Sequence, residues 1–203
     1  PTSLHVALIL MNQKLLPELE ALVKSFESKG KEFENILKMG RTELQDAVPM
    51  TLGQEFYAFA NQLKASINEL KQAEENLYTI NMGGTAIGTK LTAQKGFVEN
   101  CAKHLGEILK KKIVPAEDLI AATSDLSGFV VYSGALNTLS VRLSKIASDL
   151  ILLASGPRTG LFEINLPPLQ PGSSIMPGKV NPVIPELVNL VTFRVMGNDV
   201  AIN

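Results

Sequence analysis

The chain has 203 residues, 45% hydrophobic and 19% charged, with 19 Lys+Arg against 20 Asp+Glu. Charge this close to zero excludes a basic nucleic-acid footprint and a polybasic membrane patch. A single cysteine excludes an internal disulfide framework and a Cys-rich zinc site, and His5 and His104 are too few for a His-based metal cluster within one chain. The elements then follow in chain order. Ser3–Lys14 carries Leu4, Ala7, Leu8 and Met11 at helical spacing. Pro17 predicts a kink or restart, because it lacks the N–H and clashes with the preceding turn. Glu18–Lys29 keeps Leu19, Leu22, Val23 and Phe26 on one face, and Phe33, Ile36 and Leu37 continue the pattern. Met39–Met50 reads as non-helical, punctuated by Gly40 and Pro49.

Thr51-Leu52-Gly53-Gln54 has the form of a capping box, a hydroxyl N-cap with Gln three residues on. Phe56, Phe59, Leu63, Ile67, Leu70 and Leu77 follow, predicting a helix of about 25 residues that ends near Asn81 and belongs to a bundle. Met82–Thr92 is a loop rich in Gly and Thr, and Ala93–Lys110 is a polar, amphipathic outer helix. Pro115 predicts a short helix over Ala116–Ala122, with Glu117 and Asp118 at its positive end. Asp125–Ala154 has apolar residues on nearly every face and, after Asp125 itself, only Arg142, Lys145 and Asp149 as charges, the pattern of a buried helix. Ser155–Pro182 is a loop of 28 residues; loops beyond about 15 residues in a compact domain are uncommon and usually functional. A final helix begins near Ile184. No repeat or alternating strand pattern is visible. The fold class is all-α, a long-helix bundle over residues 1–203.

Mean hydropathy is +0.15, a water-poor balance that implies helices covered by other helices or by other subunits. The longest early apolar run, Val6–Met11, is far short of the roughly 18 residues a membrane span needs, and no targeting segment is visible. The expected compartment is cytoplasmic. A start at Pro1-Thr2 without Met and a stop at Asn203 in mid-pattern read as a piece of a longer protein.

The long loop contains Gly172-Ser173-Ser174-Ile175-Met176-Pro177-Gly178-Lys179-Val180-Asn181-Pro182. Its two glycines let the backbone aim N–H groups inward, as in an anion-binding nest. Lys179 supplies a point charge, Asn181 an amide donor, and Pro182 and Pro185 pre-set a helix N-terminus that favours negative charge. A serine in that field could have its alkoxide stabilised. The same composition also fits a surface loop without chemistry.

Gly172–Pro182 resembles the GSSxMPxKxNP signature of the aspartase/fumarase superfamily at every fixed position. Gly40–Ala47 resembles that family's GRTHxQDA segment, and Thr51–Glu55, Gly83–Thr89 and Ala154–Arg158 also look like its loops. The resemblance implies the central domain of a longer lyase, with five helices per chain joining a twenty-helix core in a homotetramer. It implies composite active sites built from three chains, a small dicarboxylate substrate, and anti elimination of ammonia, water or an amine to yield fumarate. No metal, cofactor, nucleic acid or membrane partner is implied. Ser173 matches the general base, and Lys179 and Asn181 the residues that hold substrate carboxylate. Thr42 is placed to donate to a substrate oxygen, with Glu186, Ser174 and Met176 in support.

Position 43 departs from the pattern. The fumarases have His there, paired with a Glu matching Glu186; here it is Glu43, which implies two carboxylates approaching each other, and like charges at close range raise one pKa. Either Glu43 turns outward or binds water, or its carboxylate favours an ammonium leaving group over a hydroxyl. The second reading, with the look of Val114–Asp125 and Val183–Leu187, points to aspartate; Gly197–Asn203 looks more like the fumarases. The expected function is therefore aspartate deamination, with malate dehydration or a non-catalytic scaffold of the same fold as alternatives. Lys90 stands where the family loop has Gly, and either alters the loop geometry or is simply solvated. His104 reads as a surface residue, His5 as core or interface, Cys101 as a small helix residue, and Arg158 as a loop-shaping ion pair. Gln45 and Asp46 are read as buttresses for Thr42.

Overall fold

The computed structural model describes residues 1–203 and places most of them in six helices, joined by turns and four short strands. The helices are α1 (Thr2–Glu32), α2 (Leu52–Glu75), α3 (Phe97–Leu109), α4 (Leu119–Ser124), α5 (Ser127–Leu153) and α6 (Val183–Ile202). Strands β1 (Leu37–Thr42) and β2 (Gln45–Thr51) form an antiparallel hairpin, while β3 (Thr79–Ile80) and β4 (Val114–Pro115) pair in parallel. No helix is long and apolar enough to cross a membrane.

The capping box is present in both directions. Gln54 N donates to Thr51 Oγ1 at 3.1 Å, and Thr51 N donates to Gln54 Oε1 at 2.9 Å. Two donors that the first turn of α2 would leave unpaired are thereby satisfied. The helix ends at Glu75, earlier than the apolar spacing predicts. Leu77 is fully buried, but it reaches the core from a tight turn rather than from a helix. That turn delivers Tyr78 and Ile80 to accept from Val114 N and Ala116 N, both at 2.9 Å. Pro115 thus sits in a strand, and the short helix starts later, capped by Asp118, whose carboxylate accepts from Ile120 N and Ala121 N.

Helix α1 does not restart at Pro17: it runs unbroken through it. Proline removes one backbone bond and crowds the preceding turn. Pro17 lies on an exposed face, where water can reach the freed carbonyl, and buried Ile9, Asn12, Leu19 and Val23 anchor the helix on both sides. The pattern of Phe33, Ile36 and Leu37 does not prolong the helix, which gives way after Glu32 to a turn and β1.

The chain gathers into two units. The first holds residues 1–21, 65–136 and 202–203. Its core includes Ile9, Leu70, Leu77, Ile80 and Leu119. Inside it lies a polar cluster on Glu74, which is 1% exposed. Glu74 accepts from Asn12 and from the Tyr78 hydroxyl (2.8 Å) and pairs with Lys111 at 2.7 Å. Tyr132 is buried nearby, and burial, with the charge of Glu74 added, pushes its phenol up to about 12.

The second unit holds residues 22–64 and 137–201. Phe26, Phe33, Phe56 and Phe59 pack as an aromatic cluster with ring centroids 5.2–6.0 Å apart, the offset and edge-on spacings that aromatic pairs prefer. Helix α5 buries Leu139, Ile146, Ala147 and Leu153 in this unit, whereas Val141 is 54% exposed. Burial is therefore one-sided here, although the helix is apolar on nearly every face. In α6 the usual order is inverted: Thr192 and Asp199 are buried, and Leu187, Leu190, Val191 and Phe193 are exposed. Polar bonds join α6 to α5, with Asn137 Nδ2 donating to Asp199 at 2.7 Å and Ser144 Oγ donating to Asn189 Oδ1 at 2.9 Å.

Lys90 has a left-handed backbone, with φ of 61°. The left-handed region costs a non-glycine residue about 1–2 kcal/mol, partly offset by the extra unfolded-state freedom of glycine. Lys90→Gly should therefore raise Tm by about 2–4 °C, read by calorimetry. A fall in Tm would mean the lysine side chain contributes more than its backbone costs.

Candidate active site

The signature loop is tied by its own backbone. Gly172 N donates to Lys179 O at 2.8 Å, Lys179 N to Met176 O at 3.3 Å, and Asn181 Nδ2 to Gly172 O at 3.4 Å. A Cβ on Gly172 would lie 2.7 Å from Asn181 Oδ1 and 2.9 Å from Lys179 O, so only glycine allows this closure. Gly178 serves differently: its φ is 79° and its Cβ would meet open space, so it supplies a left-handed turn.

Within the loop, Ser173 Oγ accepts hydrogen bonds from Ile175 N and Met176 N, both at 3.2 Å. A hydroxyl has two acceptor lone pairs and one donor. Both bonds fall on the oxygen and leave the O–H free to donate. Two aimed N–H dipoles stabilise negative charge on that oxygen. The side chain is half-buried, whereas Ser174, Met176 and Lys179 are exposed, and Lys179 makes no ion pair. Asn181 spends one amide N–H on the loop and keeps a second. Helix α6 starts two residues after Asn181 with Glu186 exposed in its first turn.

Thr42 and Glu43 stand on the β1–β2 hairpin. Its two-residue turn, Glu43-Leu44, has φ of 52° and 64°, the left-handed pair that hairpins with the favoured turn normally fill with Asn-Gly. Thr42 pairs with Gln45 across the ladder. A cavity of about 370 Å³ opens beside the tip, lined among others by Lys38, Arg41, Glu43, Glu55, Lys145 and Asp149. None of Ser173, Lys179, Asn181 and Glu186 lines it, and no hydrogen bond or ion pair joins the signature loop to Thr42 or Glu43. Glu186, expected to approach Glu43, is not among the residues that line this cavity.

Under the hairpin lies an ion network that sequence spacing does not reveal. Arg41 donates to Glu163 Oε1 at 2.5 Å, Lys38 Nζ stands 3.1 Å from Glu163 Oε2 and pairs with Glu55, and Asp46 lies 3.9 Å from Arg41. The Lys38 side chain is only 8% exposed. Burial pushes the Glu163 carboxyl up, but the hydrogen bonds from Arg41 and Lys38 and their charges outweigh it, and its pKa is lowered. The bond to Glu163 raises Arg41 further. Asp46 therefore buttresses Arg41 beside Thr42, and Gln45 is the ladder partner of Thr42.

The other candidates resolve simply. His104 is exposed beside Glu107, at 3.1 Å. His5 is structural: its Nδ1 lies 2.9 Å from Leu77 O and its ring stands edge-on to Phe129. Cys101 is a half-buried free thiol. Arg158 is exposed and makes no ion pair, contrary to expectation; the ion pair that shapes this loop is made by Glu163.

The family described as Lyase matches residues 1–197. The chain is 56% identical over 203 residues to an aspartate ammonia-lyase from Pseudomonas aeruginosa, covering 100% of this chain and 43% of that one. It superimposes on a fumarate lyase:delta crystallin from Brucella melitensis with a TM-score of 0.94 at 49% identity, over 99% of this chain and 44% of the other. A class II fumarase from Schistosoma mansoni aligns with a TM-score of 0.93 at 36% identity, over 98% of this chain and 45% of that one. The chain belongs to this lyase family, the aspartase/fumarase superfamily. It spans less than half the length of the relatives it matches.

Proposed function

We propose that the chain is the central helical part of a longer aspartate ammonia-lyase, acting in the cytoplasm, in which Ser173 takes the proton. The observation that carries this reading is the pair of backbone N–H groups on Ser173 Oγ. A proton on the carbon next to a carboxylate is weakly acidic, because its loss adds charge to a group already charged. A serine alkoxide is a strong enough base only if its own charge is stabilised before the reaction. Each pKa unit of that stabilisation is about 1.4 kcal/mol, and two aimed amides with Lys179 nearby are the available sources.

The alkoxide takes the β-proton. The electron pair spreads onto the neighbouring carboxylate, and returns to form the C=C bond as the C–N bond breaks and ammonia leaves. The doubly charged intermediate gains more from Lys179 and the Asn181 amide than the ground state does, and that difference is where rate comes from. Thr42 donates to a substrate oxygen and Glu43 faces the ammonium. Ser174 and Met176 shape the loop, and Glu186 stands at the start of α6. The exposed, glycine-hinged loop serves as a lid.

We read each site as drawing on several copies, as the family resemblance implies; that Ser173 lines no part of the cavity at Glu43 supports this reading. The inverted helix α6 supports the same assembly. Leu187, Leu190, Val191 and Phe193 left wet forgo roughly 25 cal/mol per Å² of apolar surface, a total comparable with the stability of a domain. Light scattering should show a tetramer, and a stable, well-folded monomer at micromolar concentration would contradict it. The substrate is tested by the ultraviolet absorbance of fumarate formed by the full-length enzyme. Aspartate should be preferred. A preference for malate, the reading favoured by the fumarase-like Gly197–Asn203, would overturn the substrate while leaving the serine base in place. No fumarate from either would leave a scaffold.

A further inference from the structure

Glu43 lines a cavity with Lys38, Arg41 and Lys145, yet makes no ion pair with any of them; Lys145 is held by Asp149, which leaves Lys38 and Arg41 as the cations of its own hairpin. A lone carboxylate beside an arginine ordinarily pairs with it, because Arg–carboxylate bonds are among the strong ones. Here both cations are already engaged. Glu163 bridges them, one oxygen 2.5 Å from Arg41 and the other 3.1 Å from Lys38, with Glu55 completing the lysine's shell and Asp46 at 3.9 Å from Arg41. The Arg41 and Glu163 side chains are 20% and 19% exposed, so bulk water screens the pair only in part. Glu163 comes from the segment after α5, far from the hairpin in sequence, and its backbone N is fixed to Leu153 O at 2.9 Å.

From this arrangement we infer that Glu163 is a specificity-positioning residue: by holding Arg41, it keeps the Glu43 carboxylate free to receive a substrate ammonium. Glu163 itself touches no substrate and acts through Arg41. With Glu163 neutral, Arg41 retains Asp46 at 3.9 Å and the weaker pull of Glu55, and turns to Glu43, an unpaired anion lining the same cavity. Glu43 is then quenched. An amine substrate loses its partner, while a hydroxyl substrate, which has no cation to place there, is little affected. The inference rests on the proposed role of Glu43 toward the ammonium.

The test is the ratio of kcat/KM for aspartate to that for malate in the full-length enzyme, with thermal melts to verify folding. Glu163→Gln should lower the ratio about tenfold, the scale of one charge-assisted hydrogen bond. Arg41→Gln combined with Glu163→Gln removes the competing cation and should restore the ratio. Glu163→Gln in a Glu43→Gln background should change the ratio no further. If Glu43→Gln alone leaves the ratio unchanged, the reading of Glu43 fails, and this inference with it. If Glu43→Gln lowers the ratio but Glu163→Gln does not, the inference alone is overturned. Where Glu163→Gln does not fold, the double variant decides: a ratio near that of the unaltered enzyme supports the inference, and a ratio as low as that of Glu43→Gln overturns it.

Discussion

Ser173→Ala in the full-length enzyme should leave aspartate binding nearly intact while kcat falls by about 10²–10⁴, the usual contribution of a positioned general base. The variant deletes only the oxygen that Ile175 N and Met176 N cap. Lys179, Asn181 and the Gly172 closure remain, so the carboxylate is still held. Loss of an interaction made only in the transition state lowers kcat and kcat/KM together and spares KM. Single-turnover fumarate formation with a parallel binding isotherm separates the two. A kcat within a few-fold of the unaltered enzyme would place the base on another residue. A large rise in KM with kcat unchanged would make Ser173 a binding group.

The second large effect concerns the 203-residue chain by itself, which should turn over no aspartate. It spans 43% of its Pseudomonas aeruginosa relative. Its Ser173 lines no part of the cavity at Glu43, and on the proposed reading a working site takes further copies and the segments that the longer relatives carry. Correct positioning of reacting groups is worth roughly 7–11 kcal/mol of barrier, and a partial clamp forfeits much of it. The measurement is fumarate absorbance from the purified chain at high concentration. Turnover near that of an intact enzyme would show that the residues named here suffice, and would contradict a composite site.

What the sequence makes legible is what depends on short spacing. Thr51 and Gln54 are three residues apart, and the capping box they imply is present in both directions. The signature loop is contiguous, and Gly172 is needed where the pattern places it. The hairpin is less visible. Its turn is Glu43-Leu44 rather than Asn-Gly, and its strands carry Lys38, Arg41, Gln45 and Asp46 without apolar alternation. Strand pairing and the ion network beneath, rather than turn chemistry, hold two left-handed residues in place. That network joins Lys38 and Arg41 to Glu163, more than a hundred positions away, a distance over which periodicity carries no information. Leu77 shows the opposite error: an apolar residue at helical spacing belongs to the core without belonging to the helix. Pro17 shows that a local penalty yields to packing on both sides when the proline faces solvent.

The most direct test of the site is a crystal structure of the full-length enzyme with aspartate bound. Ser173 Oγ should lie within reach of the β-carbon, with Lys179 and Asn181 of the same copy on a carboxylate. Thr42 and Glu43 should arrive from another copy, the glutamate facing the amino group. Aspartate bound away from Ser173, or held by these five residues of a single copy, would contradict the account.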